Sequence, residues 1–342
     1  MNQASPIPSL GPRADSSPFV VHDPEFRAVL GDAPRLVQVL EVDAHEGPVY
    51  VAEEDALYFT TVSRSGNVPA PGSPPVAIRR LALGGEGFPL ERRRLTTILA
   101  DANAANGMAL APDGRLIVCE QGSRASRAAL TLVDRAGGET ETLVNTWRGL
   151  PLNSPNAVVV KRDGSLWFTD PSYGHLQGFR PEPELGDYVY RYEPASGRLS
   201  VVADSFDKPN GLAFSPDESV LYIGDSGANQ EPGSYYPGRP HRILAFDVLE
   251  GRRLGSARLF AVTSPGFPDG IKVDADGRVY ASASSGVQVF EPGGELIGEI
   301  PLPGAVNFTF GGPDRNVLFI TTDDAVWAAR LDVTAPSRLR GV

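Results

Sequence analysis

Six oxygen-bearing side chains recur at one place in a repeated pattern: Glu46, Asn106, Asn156, Asn210, Asp269 and Asn307. The stretches they open read EGPVYVAEEDALYFT, NGMALAPDGRLIVCE, NAVVVKRDGSLWFTD, NGLAFSPDESVLYIGD, DGIKVDADGRVYASA and NFTFGGPDRNVLFITT. Carboxylates and neutral carboxamides drawn to one point make a hard-cation site. Ca²⁺ accepts about six to eight oxygens in irregular geometry, Mg²⁺ demands a tighter octahedron, and Zn²⁺ or Mn²⁺ would be second choices for such a set. Asn-Gly and Asp-Gly also simply make turns, and for one isolated occurrence that account is enough. Six aligned occurrences, with Glu heading the first, ask for more.

Positioning six groups in this way requires a radial fold. Each stretch runs from its opening residue through an apolar strand, turns at an Asp-containing corner and returns as a second strand. In SLWFTD, Leu166 and Phe168 share one face, and Trp167 and Thr169 the other. Asp113-Gly114, Asp163-Gly164 and Asp276-Gly277 read as two-residue hairpin corners of type I′, with Asp217-Glu218 and Asp314-Arg315 in the equivalent places. The runs LTLVDRAG, YVYRYEP, RILAFDV and VQVFEPGG supply further strands. Four antiparallel strands in roughly 50 residues, repeated about six times, describe an all-β, six-bladed propeller around a central channel. RLVQVLEVD, ahead of the first stretch, is placed to pair with the terminal VWAARLDV and close the ring, so that no edge strand is left open.

In a propeller the innermost strand of each blade lines the channel, so the residue before it sits at the channel mouth. The second strand returns to the same face, and its ends, Glu120, Asp170, Asp225, Ser282 and Thr322, form an outer polar ring. Two long connections, 171–187 and 226–240, are rich in Gly, Pro and aromatics and would overhang that face. The first carries Tyr173, His175 and Phe179 and reads as a mobile lid with substrate contacts.

Composition narrows the function classes. The chain has 342 residues with 37 Gly and 31 Pro, which suits many short strands joined by tight turns. A net charge of −11 argues against a nucleic-acid or anionic-membrane partner. One cysteine, Cys119, rules out an internal disulfide and, with four histidines lacking ligand spacing, leaves little for structural zinc. Residues 1–25 read as a flexible extension, and 26–342 as a single catalytic domain. A short helix is expected within DPEFRAVLGD, Asp23 to Asp32. The first residues lack a basic start and apolar core, and no run approaches a membrane span, so a cytoplasmic location is the expectation. The oligomeric state is left open.

The motifs HEGPVY, NSPNAVVVKRDGSLWFTDPSYG, KPNGLAFSPD and FPDGIKVDADGRVY resemble the SMP-30/gluconolactonase/LRE family. HEGPVY and YGHLQGFRPEPELGDYVYRY are closest to its lactonohydrolase branch. The resemblance covers residues 35–335 and implies a six-bladed propeller that binds a catalytic divalent cation, usually Ca²⁺. It places the ligands at Glu46, Asn156, Asn210 and Asp269. Ala157 departs from the pattern, where many members carry Asp or Gly. Asn106 and Asn307 match the repeat rather than the assigned ligands, and are placed in the substrate pocket with Glu120, Asp170, Tyr173, His175 and Asp225.

A cation so held would polarise an ester carbonyl and acidify water. Asp269 then suits the general base, and His45 suits ligand orientation or proton shuttling. The leading expectation is a lactonase acting on a sugar lactone or related hydroxy-lactone, a small-molecule substrate. The alternatives are a phosphotriesterase-like hydrolase using the same site, and a non-catalytic binding propeller. The last would show an apolar or strongly charged rim in place of convergent oxygens.

Overall fold

The structure, a computed structural model, describes residues 18–62, 75–84, 93–137 and 139–336. It is a six-bladed β-propeller. Blade one contains Val49–Val51, Ala56–Thr60, Ile78–Ala82 and Arg94–Leu99, and blade two Ala105–Leu110, Leu116–Glu120, Ala129–Val133 and Thr140–Val144. Blade three is Val158–Val160, Leu166–Asp170, Tyr188–Glu193 and Arg198–Ala203. Blade four is Pro209–Phe214, Val220–Asp225, Arg242–Leu249 and Arg258–Val262. Blade five holds Ile271–Val273, Val279–Ala283, Gly286–Phe290 and Leu296–Pro301. In blade six Asn307–Gly311, Val317–Thr321 and Ala325–Arg330 come from the end of the chain. Its outer strand, Arg35–Glu41, comes from the beginning and pairs antiparallel with Ala325–Arg330, closing the ring as expected.

Both faces of a blade are covered by neighbouring blades, so the period-two alternation separates one apolar interface from the next. Leu166 and Phe168 join the core between blades two and three, while Trp167 packs between blades three and four. The Trp167 indole N–H is satisfied by Ser165 Oγ at 3.0 Å, which lets a polar atom sit in a fully buried ring. Six such inter-blade clusters make up the core of the described residues.

The hairpin corners correct one expectation. Type I′ needs positive φ at both central residues, yet at Asp113-Gly114 and Asp163-Gly164 only the glycine is positive, at 86° and 80°. Each Asp accepts the backbone N–H two residues on: Asp113 from Arg115 at 3.0 Å, Asp163 from Ser165 at 2.9 Å. That local bond keeps the Asp right-handed and leaves the left-handed position to its successor. Glu218 and Arg315 fill the same position at φ of 63° and 56°.

The amino-terminal boundary also moves. Residues 1–17 of the expected extension lie outside the described residues. Val20–Val21 pair with the outer strand of blade five, and Phe19 and Phe26 enter the core beside it. Phe26–Leu30 is the short helix expected in that segment. No described helix is long and apolar enough to cross a membrane.

Candidate active site

All six opening residues lie at the start of an innermost strand, and these strands neighbour one another in a closed circle. Glycine makes the circle tight. A Cβ built on Gly107 would sit 2.3 Å from the carbonyl oxygen of Asn156, and one on Gly211 1.9 Å from that of Asp269. Backbones from adjacent blades therefore touch just behind the side chains they present. The β-ladder shifts register between Ala105 and Met108 and between Pro209 and Leu212, bracketing Asn106 and Asn210. Bulges of this kind re-aim a side chain at a rim.

Glu46, Asn106, Asn156, Asn210 and Asn307 are all buried, and Asp269 is half-buried. Glu46 and Asp269 come close enough for their carboxyls to hydrogen-bond, which requires a proton between them. Burial first, then the charge of Glu46 and this bond, drive Asp269 well above the carboxylate range, against the pull of His45 and a hydrogen bond from Asn210. Asn106 Oδ1 is buried and has no hydrogen-bond partner.

These features fit a hard divalent cation. Two facing carboxylates with a carboxamide beside them are the donors Ca²⁺ accepts, and a cation would remove the need for the shared proton. Among the described residues no cluster of three His, Cys, Asp or Glu could hold a metal, so a site of the zinc type finds no ligand set. Glu46, Asp269, Asn210 and Asn156 would be the holding residues.

Asn307 takes a different part. Its Oδ1 accepts from the Phe308 N–H at 2.8 Å and from Lys272 Nζ at 3.4 Å, while its Nδ2 donates to Glu46 Oε2 at 2.7 Å. The amide oxygen is turned away from Glu46. Lys272 was not singled out in the sequence, although a charged residue inside an innermost apolar strand was a signal available there. Burial draws its ammonium down to about 8, against the pull of Glu46.

His45 lies beside Glu46, with Nδ1 2.8 Å from Asp323 Oδ1. Burial would lower its pKa, but the bond to Asp323 and the charges of Glu46, Asp323 and Asp269 override it and raise it to about 9. With the carboxylates unneutralised, His45 is an imidazolium at neutral pH, a proton donor rather than a base.

The outer ring is corrected. Asp170 and Asp225 have no exposed surface. Asp170 accepts the backbone N–H groups of Asn153 at 2.9 Å and Ser154 at 2.7 Å; Asp225 accepts those of Asp207 and Lys208, each at 3.1 Å. Both carboxylates thus hold the segment that leads into the ring residue of their own blade, Asn156 or Asn210, and touch no open space. Burial, opposed by these N–H groups, lifts Asp170 to about 7. Glu120 does the same through Asn103 Nδ2 at 2.8 Å. The Ser282 hydroxyl accepts the Asp269 N–H at 3.0 Å. In the last blade it is Thr321 that binds ring backbone, donating to the Asn307 carbonyl at 3.0 Å, while Thr322 bonds locally to Asp324.

The 171–187 connection is fastened rather than free. Arg180 is buried and donates to the carbonyls of Asn153, Leu152, Ser123 and Ser126 at 2.8–3.1 Å. Asp187 accepts the Ser172 N–H at 2.5 Å. This anchoring overrides the reading of a mobile lid. Tyr173 begins the short helix Tyr173–Leu176; it is buried, and its hydroxyl lies beside Asn210 and Ser226, within range of Asp269. Phe179 is buried. His175 is exposed and lines a side pocket of about 70 Å³ with Asn153, Ser172 and Arg180. Larger hollows, about 460 Å³ beside Trp147 and about 400 Å³ beside Arg80, include no ring residue.

Residues 44–324 match the family model described as the SMP-30/gluconolactonase/LRE-like region. A lactonohydrolase of Aspergillus oryzae is 28% identical over 317 residues, covering 86% of this chain and 69% of its own. A gluconolactonase of Zymomonas mobilis is 29% identical over 282 residues, covering 81% and 75%. The solved structure of a gluconolactonase from Xanthomonas campestris superposes with a TM-score of 0.74 at 35% identity, covering 96% of this chain and 99% of that one.

Proposed function

The chain belongs to the SMP-30/gluconolactonase/LRE-like family, and on that premise we propose that it is a cation-dependent lactonase opening the ester ring of a sugar lactone or related hydroxy-lactone. The observation that carries this reading is the pairing of Glu46 with Asp269, two carboxyls brought into contact at the channel mouth among buried carboxamides. A bound divalent cation, Ca²⁺ by the donor set, would supply the Lewis acidity that polarises the lactone carbonyl.

The remaining work falls to the chain. Asp269, as a carboxylate, takes the proton of the attacking water. Asn106, whose buried Oδ1 is unpartnered, can accept from a substrate hydroxyl. Tyr173 closes the wall beside Asn210 and offers a hydroxyl to the ring or its departing alkoxide. His45, tied to Asp323 and lying beside Glu46, helps to fix that edge of the ring. Asp170, Asp225 and Glu120 hold the ring in place from behind.

A panel of five- and six-membered sugar lactones, assayed by acid release with and without chelator and then with metal added back, tests this reading. Hydrolysis lost to the chelator and restored by calcium is the expected result. Turnover indifferent to chelation, or absent from every lactone while a phosphotriester is cleaved, would overturn it.

A further inference from the structure

Lys272 stands on the innermost strand of blade five, three residues after Asp269. Ile271 and Val273 on either side pack into the core shared with blade four, so Lys272 is directed to the face toward blade six. Its Nζ lies 3.2 Å from the Ile271 carbonyl, 3.4 Å from Asn307 Oδ1 and 5.9 Å from the centre of the Phe308 ring.

Asn307 Oδ1 therefore receives two donors, the Lys272 ammonium and the Phe308 N–H at 2.8 Å. The opposite amide orientation would press an NH₂ against both. Only one orientation is left, and it delivers Nδ2 to Glu46 Oε2 at 2.7 Å. The same oxygen accepts the Gly47 N–H at 3.1 Å, which leaves Oε1 as the oxygen free to meet Asp269 or a cation.

We infer that Lys272 is a positioning residue for the cation site, acting through Asn307 to set which Glu46 oxygen faces the ring. The inference rests on the cation reading of that ring and goes beyond it, because Lys272 is not among the residues that would hold the cation. Two opposed effects make it testable. Through space, an ammonium near Glu46 repels a cation, so its removal alone would tighten binding. Through Asn307 its removal frees the amide and loosens binding, and partners of this outer kind typically account for about 10–100-fold in metal affinity.

The test is a double-mutant cycle of calcium affinity, measured by calorimetry on chelator-stripped wild type, Lys272→Met, Asn307→Ala and the double variant. Lys272→Met is expected to weaken calcium about tenfold or more, Lys272→Arg to recover most of that, and Lys272→Met to cost nothing further in the Asn307→Ala background. A second readout needs no metal: in cation-free protein, Lys272→Met should shift the Asn307 side-chain amide resonances. Tighter calcium binding in Lys272→Met, an equal loss in both backgrounds, or unmoved Asn307 resonances would overturn the inference while leaving the cation site standing. Absence of calcium binding in wild type would remove the cation reading itself, and the positioning role with it.

Discussion

Asn307 donates its side-chain amide to Glu46 across the seam where the last blade meets the first, linking residues 261 positions apart at 2.7 Å. The strand Arg35–Glu41, from the beginning of the chain, closes the ring as the outer strand of that last blade. The Glu46 carboxylate is thus held by a residue from the far end of the chain, so its orientation depends on a contact made across the closed ring.

Asp269→Asn should lower lactone hydrolysis by about 10²–10⁴-fold at saturating calcium, the range a positioned general base supplies, while far-ultraviolet circular dichroism stays that of the wild type. Turnover within a few fold of wild type under those conditions would move the base to another residue.

His45 should titrate near 9 in chelator-treated protein when its ring signals are followed by NMR. Its folded value is raised above its unfolded value of about 6.5, so the stability it contributes is fully present below about 6.5 and is lost as pH rises through about 9. Asp323→Asn should lower the titration midpoint, since the bond to Asp323 is the main raising influence. Calcium should lower it again by neutralising Glu46 and Asp269.

Arg180→Met should destabilise the protein by about 3 kcal/mol, read as a lower urea midpoint, because it strips a buried donor from four backbone carbonyls. The 171–187 connection then loosens as a unit. Calcium affinity at Glu46 and Asp269 should survive, and selectivity among lactones should fall as Tyr173 loses its fixed place. A variant of wild-type stability would mean that the connection is held by other contacts.

Gly211→Ala should cost about 1–3 kcal/mol of stability and weaken calcium together, since its Cβ would enter the Asp269 carbonyl 1.9 Å away and push two ring residues apart. Gly164→Ala, where a Cβ meets nothing within 4 Å but φ is 80°, serves as the control. It should cost stability through backbone strain and leave calcium affinity unchanged.

Much of this architecture was legible in the chain, because the signals are local. Period-two alternation in SLWFTD, the Asp-headed corners and the recurrence of Glu, Asn or Asp at the opening of each first strand depend on residues a few positions apart. Those relations survive whatever the rest of the fold does. The number of blades and the closing strand Arg35–Glu41 could both be read from that repetition and from the family motifs.

What only the tertiary structure decided is where each polar side chain points once neighbouring blades press against it. Asp170 and Asp225 end their strands on the ring side, as their positions imply, yet turn to the N–H groups of Asn153, Ser154, Asp207 and Lys208, with Arg242 also donating to Asp225. Arg180 converts a Gly- and Pro-rich connection into a fastened wall by finding four carbonyls drawn from the segments around Ser123 and Asn153. Lys272 and Asn307 acquire their relation to Glu46 only at the meeting of blades five, six and one. Sequence spacing determines which strand a residue is on; the direction of a buried hydrogen bond is set by which partners, distant in the chain, remain to satisfy it.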